Sequence, residues 1–283
     1  MLVNGLILGA SYALMALGIT LIFAILGVLN FAHGQMYVLG GFVTYYLYGV
    51  FGLHYLLALP AAAVTVAAIG VVFERLCFRP VLRTTTREES TMLLAAGTAL
   101  LLDSVALVVF GEKQRGVPPI VPGVYEVWGA FIPAGRVVIF AFAVVLIVAF
   151  LLFMQYTRPG RALRGIAQDR EAAALMGVST DRYYTLGFAV GAALAGVAGA
   201  LLVTLFAVNA GAGTSVSIKA FIMIMLGGAG VVSGAIVGAF ALGFAEAVGY
   251  FLLPGSTTYL LILLCLILFL LVRPHGIMGR PWG

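Results

Sequence analysis

An all-α, polytopic helical membrane protein, with eight or nine transmembrane helices and some of them broken or re-entrant, is the fold class this sequence predicts. Three observations predict it. Of the 283 residues 63% are hydrophobic and mean hydropathy is +1.17, whereas a soluble domain is about 45–50% apolar. Apolar runs of about 20 residues, the length that crosses a bilayer core, recur from one end to the other. Most of the charged residues, 9% of the chain, collect in short stretches between those runs. A β-barrel would instead show short alternating segments, and none is seen.

Taken in order, spans fall near 4–29, 34–52, 55–77, 90–110, 136–156, 185–207, 217–230, 233–252 and 257–272. The first run has no basic residue before it and is too long for a signal-peptide core, so it is expected to be a retained span. Glycines interrupt 30–52 and 217–252, which are therefore expected to be broken or re-entrant. The pairs Gly5/Gly9, Gly187/Gly191 and Gly234/Gly238 read as helix-packing positions, where small residues let backbones approach. No stretch is long enough for a separate soluble domain, so the chain reads as one domain over 1–283.

Arginine sets the orientation. Arg75, Arg79, Arg83 and Arg87 surround the loop after the third span, and Arg158, Arg161, Arg164, Arg170 and Arg182 fill 157–184. Arg273 and Arg280 lie in the tail. The positive-inside rule places these regions in the cytoplasm, with the N-terminus outside if the spans number nine. The same topology accounts for the net charge of +5 without a nucleic-acid partner. The external loop 111–135 holds Pro118, Pro119, Pro122, Gly123, Trp128 and Pro133 and is expected to be compact and irregular.

The stretch from Arg158 to Tyr184 is a charged island. Each charge at the bilayer centre would cost about 3 kcal/mol, so the island must be aqueous. Pro159-Gly160 reads as the end of the preceding span. Arg161, Arg164, Gln168 and Glu171 share one stripe of a helix, with Ala162, Ile166 and Ala173 opposite. Asp169 is placed to cap a short helix from Arg170 to Met176, Gly177 to stop it in a left-handed turn, and Asp181 to cap the next span. Three alanines and a leucine gain nothing in a solvated connector, but they suit a helix that docks in another protein's groove.

Glu171-Ala172-Ala173-x-x-x-Gly177 resembles the EAA motif of ABC-importer permeases. The longer string Arg164-Gly165-Ile166-Ala167-Gln168-Asp169-Arg170-Glu171-Ala172-Ala173-Ala174-Leu175-Met176-Gly177-Val178 is similar to the corresponding loop of branched-chain amino-acid permeases of the LivH type. So is Leu29-Asn30-Phe31-Ala32-His33-Gly34-Gln35-Met36-Tyr37-Val38-Leu39-Gly40-Gly41. The glycine-rich Leu226–Ala239 stretch and the end Arg273-Pro274-His275-Gly276-Ile277-Met278-Gly279 resemble the same family, so the likeness spans nearly the whole chain.

The resemblance implies a permease subunit of an ATP-driven importer in the bacterial inner membrane. Its expected partners are a second permease (itself or a paralogue), two cytoplasmic ATPase subunits and a periplasmic binding protein. The implied substrates are leucine, isoleucine and valine. Glu171, Ala172, Ala173 and Gly177 are then expected to couple to the ATPase. ATP would be bound by those partner subunits, and no cofactor is expected in this chain. A sister permease for urea, short amides or other amino acids stays open, as does a stand-alone secondary transporter.

Asn30, His33 and Gln35 cluster between two apolar runs, and with Gly34 they are candidates to line the translocation pathway. Asp103 and Glu246 are intramembrane carboxylates and functional candidates for that reason. Glu74 reads as an interfacial neighbour of Arg75. Cys77 and Cys265 form no CxxC and no Cys/His cluster, so no disulfide framework or metal site is indicated. The only lysines are Lys113 and Lys219. No phosphate loop, nucleophile elbow or His-Glu-x-x-His is present, so no catalytic residue is expected.

Overall fold

The computed structural model describes residues 2–84, 88–127 and 130–279. Arg87, Trp128 and Arg280, which entered the orientation and loop arguments, lie outside these, as does the side chain of Arg83.

Helix α1 (Leu2–Leu26) is the central post. It is apolar on every side, as a helix enclosed by others must be. Helices α9 (Thr180–Leu202) and α11 (Val232–Leu252) pack along it. Small residues set those contacts. A Cβ on Gly243 would lie 2.7 Å from the Gly9 Cα, and one on Gly191 2.7 Å from the Gly18 carbonyl oxygen. Gly234 sits on the backbone of Gly227 and Gly238 on the Met223 carbonyl. The three GxxxG pairs are thus packing positions.

After α1 the chain turns at Gly27, which has φ +70°. It then runs back into the core. Helix α2 (His33–Thr44) starts beside Met15, halfway along α1, and continues as a π-helical stretch, Tyr45–Val50. Helix α3 (Tyr55–Phe73) runs into a π-helical Glu74–Phe78 and the short α4 (Arg79–Thr84). Helices α5 (Glu88–Phe110), α6 (Ala134–Tyr156) and α12 (Gly255–Val272) are peripheral and expose leucine and valine, as helices facing acyl chains do.

Helix α9 ends at Leu202, earlier than its apolar run. Residues 203–209 are non-helical, and Val208 forms a bridge with Arg115. A 3₁₀ turn, Ala210–Ala212, then leads into α10 (Gly213–Gly227). Gly228 (φ +114°) and Gly230 (φ +79°) break the chain before α11.

The order long helix, interruption, short helix, long helix therefore occurs twice, as α1–α2–α3 and as α9–α10–α11. The two interruptions meet. The Gly34 amide donates to the Ser217 hydroxyl (2.9 Å), which donates to the Phe31 carbonyl (2.7 Å).

Eight helices among the described residues are long and apolar enough to cross a membrane; with the segment 27–50 they make nine traverses. Arg136, at the start of α6, donates to Asn4 at the start of α1 (2.7 Å). The other end of α1 holds Ile25, against which Gly187 and Leu163 pack. Loop 111–135 and the charged island are therefore at opposite ends. That loop is not wholly irregular. It folds into an antiparallel hairpin, β1 (Val124–Val127) on β2 (Ala130–Pro133).

Candidate functional site

The charged island forms two helices, α7 (Arg158–Gln168) and α8 (Arg170–Leu175). Pro159-Gly160 does not end the preceding span. Thr157 caps α7 by accepting from the Gly160 amide (3.0 Å), with Pro159 at its favoured place in the first turn. Leu163 and Ile166 are buried, while Arg161, Arg164 and Gln168 are exposed. The stripe expected to reach Glu171 stops at Gln168, because Asp169 is extended (φ −156°).

The Asp169 carboxylate accepts from the amides of Glu171 and Ala172, both at 2.9 Å. At the other end, Gly177 has φ +82°. The Val178 amide donates to Ala173 and the Gly177 amide to Ala174, the paired bonds of a Schellman stop. Asp181 does not cap α9. Ser179 holds the cap position, and Asp181 lies inside the first turn.

Residues Glu171, Ala172, Ala174 and Gly177 are exposed, but Ala173 is only 8% exposed and belongs to the core that contains Tyr184. Arg170 stacks on the Tyr184 ring at 5.0 Å. What α8 presents outward is Leu175 (89% exposed) and Met176 (84%). Sequence reasoning weighed the three alanines and Leu175 alike and missed Met176. Six residues are too few for a helical period to show which apolar side chain points away.

Asn30, His33, Gly34 and Gln35 come together at the junction of the two interrupted segments. All four are buried. Asn30 Oδ1 accepts from the Ala32 amide, and His33 Nε2 bonds the Met15 carbonyl (3.1 Å). Gln35 Nε2 donates to Asp103 Oδ1 (2.6 Å), which gives the mid-span Asp103 a partner. Gly34 is helical, and the chain leaves helical geometry at Gly27 instead. A Cβ on Gly34 would strike the Gly213 carbonyl and Ser217, so that glycine serves close approach.

Glu74 is 1% exposed and pairs with Arg79, not Arg75. Arg79 Nε lies 3.0 Å and Nη2 3.1 Å from its two oxygens. Thr185 of α9 also donates to Glu74 (2.9 Å), and Arg79 reaches the Asp181 carbonyl (3.1 Å). The pair ties the end of α3 to the start of α9, just after α8.

Glu246 lies in α11 and is 1% exposed. Lys219 Nζ, from α10, is 2.7 Å from its Oε1. The Tyr12 hydroxyl, from α1, donates to its Oε2 at 2.7 Å, and Lys219 donates to the same hydroxyl (3.2 Å). These three border a cavity of about 350 Å³ whose wall includes Met15, Tyr37, Phe206, Val216 and Tyr250. A second cavity, of about 480 Å³, lies on its outer side, lined by Asn4, Arg136, Phe206 and Tyr250 among others. Phe206 and Tyr250 line both. Asn30, His33, Gly34 and Gln35 are not among the lining residues of the inner cavity. Lys219 was not a candidate on sequence, since a lone lysine six positions into a glycine-flanked run shows no partner. Among the described residues no group of His, Cys, Asp and Glu is placed to hold a metal ion.

The chain matches the model of a family described as the permease component of branched-chain amino acid transport systems, over residues 1–271. It is 36% identical to the high-affinity branched-chain amino acid transport system permease protein BraD of Pseudomonas aeruginosa, covering 99% of this chain and 95% of that one. It is 35% identical to the corresponding LivH of Escherichia coli K12, over 98% and 94%. A probable LivH of Methanocaldococcus jannaschii is 29% identical over 95% and 89%. No solved structure matches.

Proposed function

The chain belongs to the family of branched-chain amino acid transport-system permeases, and from that membership we infer that it is the membrane subunit of an ATP-driven importer of leucine, isoleucine and valine. It carries no catalytic step itself. ATP is bound and hydrolysed by two cytoplasmic subunits, a binding protein delivers substrate from outside, and a second permease completes the pathway.

The observation that carries this reading is α8. A short capped helix at the arginine-rich end holds two large apolar side chains almost fully in the open. A solitary channel or secondary transporter has no use for them, whereas a helix seated in a partner's groove does. The Glu74–Arg79–Thr185 contacts at the foot of α9 would pass its movement to α3 by rigid-body shift. Asn30, His33, Gly34 and Gln35 stand behind the wall of the route and position it, Gly34 holding α2 to Ser217 of α10, His33 holding it to Met15 of α1 and Gln35 to Asp103 of α5.

Reconstitution with the ATPase subunits and binding protein tests the reading. Uptake of labelled leucine into liposomes is expected only with ATP, and excess isoleucine or valine, but not urea or acetamide, is expected to suppress it. Leucine uptake by this chain alone, without nucleotide, would overturn it.

A further inference from the structure

Resting on that reading, we infer that the cavity bordered by Tyr12, Lys219 and Glu246 is a substrate waypoint that recognises the zwitterion of an α-amino acid, with Glu246 taking the ammonium and Lys219 the carboxylate.

A carboxylate and an ammonium inside a membrane are costly to place even when they pair, and buried pairs of this kind mark substrate or ion routes. This pair sits where a route should be. Tyr12 is about 15 Å along α1 from its outer end, and Glu246 about 9 Å along α11 from Leu252. Both interrupted segments contribute to the wall, through Tyr37 of α2 and Val216 and Lys219 of α10. In transporters built from repeats, substrate sites lie beside such discontinuous helices.

The chemistry matches the cargo. Lys219 and Glu246 are opposite in sign and 2.7 Å apart, so between them they add no net charge to the cavity. An α-amino acid is the same pair of charges in reverse. On entry its ammonium replaces Lys219 at Glu246, where the Tyr12 hydroxyl keeps donating, its carboxylate takes Lys219, and the sum of charges is unchanged. Met15, Phe206 and Val216 give the remaining wall an apolar part that suits a branched aliphatic side chain, beside Tyr37 and Tyr250. The volume of about 350 Å³ is at the lower end of the roughly 300–1,000 Å³ of small-molecule sites. The outer cavity, with Arg136 and Asn4 on its wall, is the approach from the outer face. Opening the Lys219–Glu246 pair and stripping water from the ligand's two charges offset much of what the two new pairs contribute, which keeps the site weak, as a step on a route requires.

The test is ligand-observed NMR on the assembled transporter in nanodiscs, with L-leucine, 4-methylpentanoate (carboxylate only) and 3-methylbutylamine (ammonium only). Wild type is expected to bind leucine and neither analogue. Glu246→Gln is expected to weaken leucine about ten- to a hundredfold, the worth of one charge-assisted hydrogen bond, and to gain 4-methylpentanoate. Lys219→Met is expected to lose leucine equally and to gain the amine. If a single variant fails to assemble, the charge-balanced Lys219→Met/Glu246→Gln is read for leucine alone, with the same loss expected. Leucine affinity within threefold of wild type in these variants overturns the site. That failure leaves ATP-driven leucine uptake by the wild type intact, whereas absence of that uptake overturns the broader reading.

Discussion

Replacing Leu175 and Met176 together by serine should detach the permease from its ATPase while leaving the permease folded. The two side chains are 89% and 84% exposed in the isolated chain, so they contribute almost nothing to its own core. Burying a leucine or methionine fully is worth about 1.5–3 kcal/mol each. Seating both in a groove therefore supplies roughly 3–6 kcal/mol, two to four decades in Kd. The costs of association are shared by both variants and cancel in the comparison. Unfolding of the isolated permease should change by no more than about 0.5 kcal/mol, as expected for surface sites. The assay is titration of the permease in nanodiscs with purified ATPase subunit, read by a fluorophore on the ATPase, beside a thermal melt. An ATPase affinity within tenfold of wild type would show that α8 is not the docking element. Ala173→Arg is a poorer probe, because Ala173 packs in the chain's own core and the arginine would push α8 off α9.

With Cys77 and Cys265 replaced by serine, a cysteine at Pro122 should react with a membrane-impermeant maleimide in intact cells, and one at Gln168 only after lysis. The reverse order would invert the topology and remove α8 from the cytoplasm. Gly34→Ala should destabilise the protein by about 1–3 kcal/mol, the cost of overpacking, because its methyl group meets the Gly213 carbonyl and Ser217. A melting temperature equal to wild type in the same detergent would mean that α2 and α10 do not meet as described.

Much of the architecture was legible in the sequence because its causes are local. Hydropathy placed the spans, as lipid offers no hydrogen bonds and forces each apolar run into a helix. Asp169 and Gly177 declared the ends of α8, since a cap and a left-handed stop each act on the next few backbone groups. Arginine placed the island opposite the proline-rich loop. The tertiary structure decided what depends on distance across the fold. Glu74 pairs with Arg79 and Thr185 because α9 comes alongside α3. Ala173 turns inward because Tyr184 is there to cover it. Gly34 serves close approach to α10, while Gly27 makes the turn. Lys219 and Glu246 are 27 positions apart on two helices, and Tyr12 lies on a third. No periodicity records such a meeting. Sequence can state that a buried charge needs a partner, but which partner it finds is settled only when helices from both halves of the chain close around one cavity.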